Sequence, residues 1–169
     1  RTGRAWLMIW GHLHGAMMDD AVANEARHGG LAVAQYTSSS CPPVLGFVKD
    51  RRPSCRELND AAFRQITTLR PVTVLLAADW PQSLSEGSLA LMFGTVTRLR
   101  AAGVQNIVLL GSVPHWTPSL AEAIVTSLRS THSTVLPERT ESGLSKHMDE
   151  IEVQVSSTAH ALALSYISS

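Results

Sequence analysis

The chain has 169 residues, 44% of them hydrophobic and 17% charged, which suits one domain with a substantial core and excludes a disordered chain. Fourteen Lys and Arg against fourteen Asp and Glu leave no net charge and no basic stripe, so no nucleic-acid partner is expected. No apolar run reaches the roughly 18 residues that would span a bilayer.

The first apolar run, Ala5 to Trp10, predicts a buried strand. Gly11-His12-Leu13-His14-Gly15 then reads as a tight turn between glycines, leading into a helix over 16–28 that is closed by Gly29-Gly30. Met17 and Met18 are expected to pack under the sheet, and Asp19 and Asp20 to face the positive end of the helix dipole. A second strand runs from Leu31 to Gln35.

A loop bearing Pro, Gly and Arg follows, flanked by Cys41 and Cys55. A bridge between them would close a loop of about 15 residues, worth roughly 3 kcal/mol, and would place the domain in an oxidising compartment. Two independent thiols are the other reading. Arg51 and Arg52 are expected to be solvated there, with a carboxylate or phosphate partner as the alternative.

Ser54-Cys55-Arg56-Glu57 has the capping-box pattern, and the helix it opens is predicted to reach Leu69 and stop before Pro71. Strands are predicted at Val72 to Ala78 and Asn106 to Leu110, with a helix over 85–102 between them that ends at Gly103. A helix after Pro118 carries Leu120, Ile124 and Leu128 on one face, and a long one over 143–163 carries Met148, Ile151, Val155 and Leu162. Leu164 to Ile167 is a short last strand. The strands are continuous apolar runs rather than alternating ones, as in parallel sheets buried on both faces. Their alternation with helices predicts a parallel α/β sheet in a single domain over residues 1–169.

Ligands in such sheets bind at the carboxyl ends of the strands, which directs attention to residues 11–15, 37–52, 79–83 and 111–118. His12 and His14 have a possible metal-ligand spacing if their segment is extended, with Asp79 or His115 as a third ligand; otherwise they are ordinary turn residues. His115 and Trp116 flank the expected mouth of the cleft, where they either line a sugar site or form a plain surface loop.

The order and spacing of several pieces resemble a known family. They are Leu7-Met8-Ile9-Trp10-Gly11, His14, Thr37-Ser38-Ser39-Ser40-Cys41-Pro42-Pro43 and Cys55-Arg56-Glu57-Leu58-Asn59. Further on come Val74-Leu75-Leu76-Ala77-Ala78-Asp79-Trp80 and Gly111-Ser112-Val113-Pro114. Together they resemble the SGNH (GDSL-like) hydrolase domain fused to the C-terminus of bacterial membrane acyltransferases of the O-antigen acetylase type. The resemblance implies a three-layer α/β/α fold with a flavodoxin-like parallel sheet, here expected to be truncated at the C-terminus.

It also implies a site. In that family the first strand ends in Trp-Gly-Asp-Ser-His, and the serine is activated by an Asp-x-x-His pair near the end of the domain. A serine hydroxyl is a poor nucleophile without such a pair. Here Gly11 and His14 are kept, while His12 stands for the aspartate and Leu13 for the serine. No Asp-x-x-His occurs near the end of this sequence. Loss of the serine from a comparable triad costs about a millionfold in turnover. No intact catalytic residue is therefore expected, and the chain should be silent in serine-based acyl transfer.

The family's oxyanion donors, a glycine after the second strand and an asparagine after the third, map near Ser39 or Ser40 and near Asp79. An ionised Asp79 would oppose a developing negative charge. Trp80 would wall the substrate pocket or pack at a strand end. The expected setting is the periplasmic side of a bacterial inner membrane, within a longer membrane-anchored protein. The expected partners are an N-terminal membrane acyltransferase domain and a polysaccharide acceptor, with no cofactor and no metal. The alternatives are a degenerate glycan-binding or partner-docking module, and a His-based metal-dependent hydrolase.

Overall fold

The computed structural model describes residues 5–50, 52–85, 87–138, 143–145 and 147–168. Five parallel strands form one sheet in the order β2-β1-β3-β4-β5: β1 (Trp6–Gly11), β2 (Ala32–Thr37), β3 (Thr73–Ala77), β4 (Asn106–Leu110) and β5 (Ser165–Ile167). This is the flavodoxin-like order, with the chain reversing direction between β1 and β3. The helices are α1 (Leu13–Met17), α2 (Asp19–His28), α3 (Ser54–Leu69), α4 (Trp80–Ser85), α5 (Ser88–Ala101), α6 (Leu120–Thr131) and α7 (Met148–Ala161).

Alternate strand residues serve two separate cores, as the period of two requires. Met8, Trp10, Val74, Leu76, Ile107 and Leu109 point to one face, where Ile66 of α3, Met92 and Val96 of α5 and Val155 of α7 bury them. Each such fully buried large side chain contributes about 1.5–3 kcal/mol. Ile9, Leu75, Ala77 and Leu110 point to the other face and meet Val22 of α2. The central strands are buried on both faces, as their composition predicts, but β2 is a half-buried edge and β5 a short, largely exposed one.

Several local expectations are corrected. The helix predicted over 16–28 is two helices that meet at Met18, and the first begins at Leu13. Met17 and Met18 are not core: they are 74% and 39% exposed, on the outer side of that break. The helix predicted over 85–102 is likewise preceded by the separate α4.

Ser54 does not cap α3. The Cys55 amide already donates to the Arg52 carbonyl, so the helical turn starts one residue earlier and Ser54 lies inside it. The working cap of this kind is Ser119 on α6, whose hydroxyl accepts from the Glu122 amide at 3.2 Å and donates to the Glu122 carboxylate at 2.9 Å. On α6 itself Ala123 is the buried residue, and Leu120 is exposed. Among the described residues no helix is long and apolar enough to cross a membrane.

Candidate functional site

The turn after β1 is built on a backbone contact that only glycine permits. Gly11 has φ +151°, and a β-carbon there would lie 1.8 Å from the Ala77 carbonyl oxygen. That same oxygen accepts from the His12 amide at 2.8 Å, which docks the turn onto the end of β3. On the other side the Ser38 amide donates to the Gly11 carbonyl at 2.8 Å. The turn is thus held between the carboxyl ends of β2 and β3, where the reversal of strand order opens a crevice.

Leu13 is the first residue of α1 and is 52% exposed. A large apolar side chain stands in solvent at the very point to which the strand delivers it. The backbone preceding it is extended only as far as His12; Leu13 to Met17 is helical, so the premise of an extended His12-x-His14 pair does not hold. The His14 side chain lies outside the described residues. Among the described residues no group of three His, Cys, Asp or Glu is placed to hold a metal ion.

A cleft of about 350 Å³ opens beside the turn, lined by Trp10, Gly11, Tyr36, Thr37, Ser38 and Asn59 among others. Its floor is fixed by Asn59, which accepts from the Trp10 indole at 2.9 Å and donates to the carbonyls of Pro42 and Val44 at 2.9 and 2.8 Å. Cys41, which also lines the cleft, forms the disulfide with Cys55. Just before that bridge Ser39 is exposed, and Ser40 has φ +58°, the left-handed backbone that favours glycine.

Asp79 and His115 meet on the opposite side of the turn. The His115 Nε2 lies 3.6 Å from the Asp79 Oδ1, across the loops that follow β3 and β4. His115 is held there by its carbonyl, which accepts from Ser145, while Trp116 pairs with Leu144. Neither His115 nor Trp116 lines the cleft. Trp80 does not wall it either: the indole is wholly buried and donates to the Leu110 carbonyl, so it packs the ends of β3 and β4 together.

Of the residues singled out from sequence, the structure gathers Gly11, Ser38 and Cys41 at one cleft, leaves Ser39 and Ser40 out of its lining, and pairs Asp79 with His115 beyond it. Asn59, Tyr36 and Gln35 all line the cleft with no site role assigned from sequence, although Asn59 belongs to one of the pieces that carry the family resemblance. A signal for Asn59 existed. It is the polar member of an apolar stripe, Cys55, Asn59, Ala62 and Ile66, at helical spacing.

These features define a doubly wound α/β domain with a cleft at the carboxyl ends of β1 and β2. The chain matches the family of the SGNH domain fused to AT3 domains over residues 2–164, and it belongs to that family. No curated protein matches it. Among solved structures it is similar to the periplasmic domain of the lipopolysaccharide acetyltransferase of Salmonella ser. Paratyphi A, with 21% identity and a TM-score of 0.81. That match covers 99% of this chain and 67% of the other, and at this identity it speaks for the fold.

Proposed function

We propose that this chain is the extracytoplasmic SGNH domain of a longer membrane protein that acylates, typically acetylates, cell-surface polysaccharide. Its partner would be a membrane acyltransferase domain preceding it, in keeping with a family described as fused to AT3 domains. The similar Salmonella structure is named as part of a lipopolysaccharide acetyltransferase, which supports the same class of acceptor.

Within that activity we assign this chain a binding role and no covalent one. The observation that carries the assignment is Leu13, half exposed where β1 delivers its end residue. A leucine supplies neither an attacking atom nor a hydrogen bond to position one. Asp79 supports it further, since a carboxylate at the place of an amide donor repels an oxyanion rather than stabilising it. What persists is a polar cleft with an aromatic wall, Tyr36, and hydroxyl and amide groups from Thr37, Ser38 and Gln35. Such a lining suits the hydroxyls and apolar faces of sugars.

Incubation with p-nitrophenyl acetate is expected to give no serine-dependent turnover and no acyl-enzyme by mass spectrometry. Stoichiometric labelling by a fluorophosphonate would overturn the assignment. Titration with oligosaccharides, followed by NMR, is expected to move the resonances of Gly11, Tyr36 and Ser38.

A further inference from the structure

Arg52 sits on the disulfide-closed loop, beside Ser38, which lines the cleft. Its backbone is fixed on both sides, the amide donating to Lys49 and the carbonyl accepting from Cys55, whose sulfur is bonded to Cys41. The guanidinium is half-buried. Its Nη2 approaches the Ser38 hydroxyl at 3.5 Å, and its Nε is sealed from solvent with no hydrogen-bond partner. Among the described residues no carboxylate pairs with it. By contrast Arg100 places its Nη2 on the carbonyls of Leu162 and Ala163 at 2.6 and 3.1 Å.

Three features converge. Nε and Nη2 form the side edge of the guanidinium, the fork that receives an oxyanion in two parallel hydrogen bonds. That edge carries a single long contact in this structure, to a hydroxyl that itself lines the cleft. Among the described residues no acidic one lines the cleft to compete for it. A half-buried cation left so poorly satisfied is costly, and an incoming anion relieves that cost.

We propose that Arg52 is an anion-recognition residue and that the cleft takes an acidic saccharide, one whose carboxylate or phosphate is received by Arg52 and Ser38 while its ring lies toward Tyr36. This rests on the reading of the cleft as a glycan site and names the class of glycan. Ser38 ties the two together, since its amide holds the Gly11 carbonyl and its hydroxyl faces Arg52.

The test is calorimetric titration of the protein with tetragalacturonate and with its methyl ester, and with maltotetraose and its phosphate ester. At low salt an anionic form should bind about tenfold or more tightly than its neutral counterpart, the scale of one charge-assisted hydrogen bond, and lose that advantage in high salt. The pair with the larger ratio identifies carboxylate or phosphate. Arg52→Gln should bind both members of the pair with the neutral affinity, and Arg52→Lys, which keeps charge without the fork, should fall between. Equal binding of anionic and neutral forms, or a preference that survives in Arg52→Gln, overturns the inference and leaves the glycan cleft standing. Failure of all four sugars to bind overturns both.

Discussion

The indole nitrogen of Trp10 donates to the side-chain oxygen of Asn59, 49 positions away, and the same Asn59 holds the Pro42 and Val44 carbonyls. One buried amide therefore joins the end of β1, helix α3 and the disulfide-closed loop. Asn59→Leu keeps the volume and strands an indole N–H and two carbonyls away from water. Each stranded group costs about 1–3 kcal/mol, so a combined loss of about 3 kcal/mol or more is expected. Urea denaturation measures it, and a loss under about 1 kcal/mol would show that the loop relaxes to rehydrate these groups.

Two glycines should respond to alanine with opposite signs. Gly11→Ala drives a methyl group into the Ala77 carbonyl and must part β1 from β3, at a cost of about 3 kcal/mol or more. Gly94 lies inside α5 with nothing within 4 Å of an added β-carbon and no positive φ. Gly94→Ala is expected to stabilise by about 0.5–1 kcal/mol through helix propensity. Thermal melts of the two variants beside the parent protein check both.

The sheet was legible in the sequence because its central strands are dense apolar runs bounded by turn residues. Asn106 to Leu110 matches β4 residue for residue, and the predicted limits of β1, β2 and β3 differ from the observed ones by one or two positions. The helix break at Met18 was not legible, since no proline stands there, and α4 was missed although Gly87, with φ +75°, marks its separation from α5. Met17 and Met18 read as core because hydrophobicity records what a side chain prefers and not which side of a break it falls on. At the site, the turn at Gly11 and its neighbour Ser38 followed from topology, since both end parallel strands. Asp79 and His115 come from separate loops, and no periodicity within either loop signals that they meet.

The Cys41–Cys55 bridge spans 14 positions and closes the loop that carries Arg52. Reducing it, or replacing both cysteines by alanine, should cost about 3 kcal/mol of stability by releasing the unfolded chain. Ligand affinity should fall as well, because the loop that carries Arg52 loses its anchor. Urea midpoints with and without a phosphine reductant give the first quantity, and oligosaccharide titration of the reduced protein gives the second. An unchanged midpoint would mean that the buried hydrogen bonds of Asn59 hold the loop by themselves.

Tyr166 on β5 sets an alkaline limit on the fold. Its hydroxyl and the Glu152 carboxylate both crowd the space over Gly111. Burial, and after it the neighbouring Glu152, raises the tyrosine above its ordinary value near 10. In the unfolded chain the phenol ionises from about pH 10 upward, while in the native state it stays protonated. The unfolded state then binds fewer protons, so stability is constant below about pH 10 with respect to this group and declines as the pH rises beyond it. Tyr166→Phe keeps the ring and removes only the hydroxyl beside Glu152, so its effect near pH 7 should be about 1 kcal/mol or less. Above pH 10 the variant should lose stability less steeply than the parent. The tyrosinate absorbance of the native protein just above pH 10 should be unchanged by the substitution, because Tyr166 is still protonated there. A drop in that absorbance would place its ionisation in the ordinary range and remove the basis for the alkaline slope.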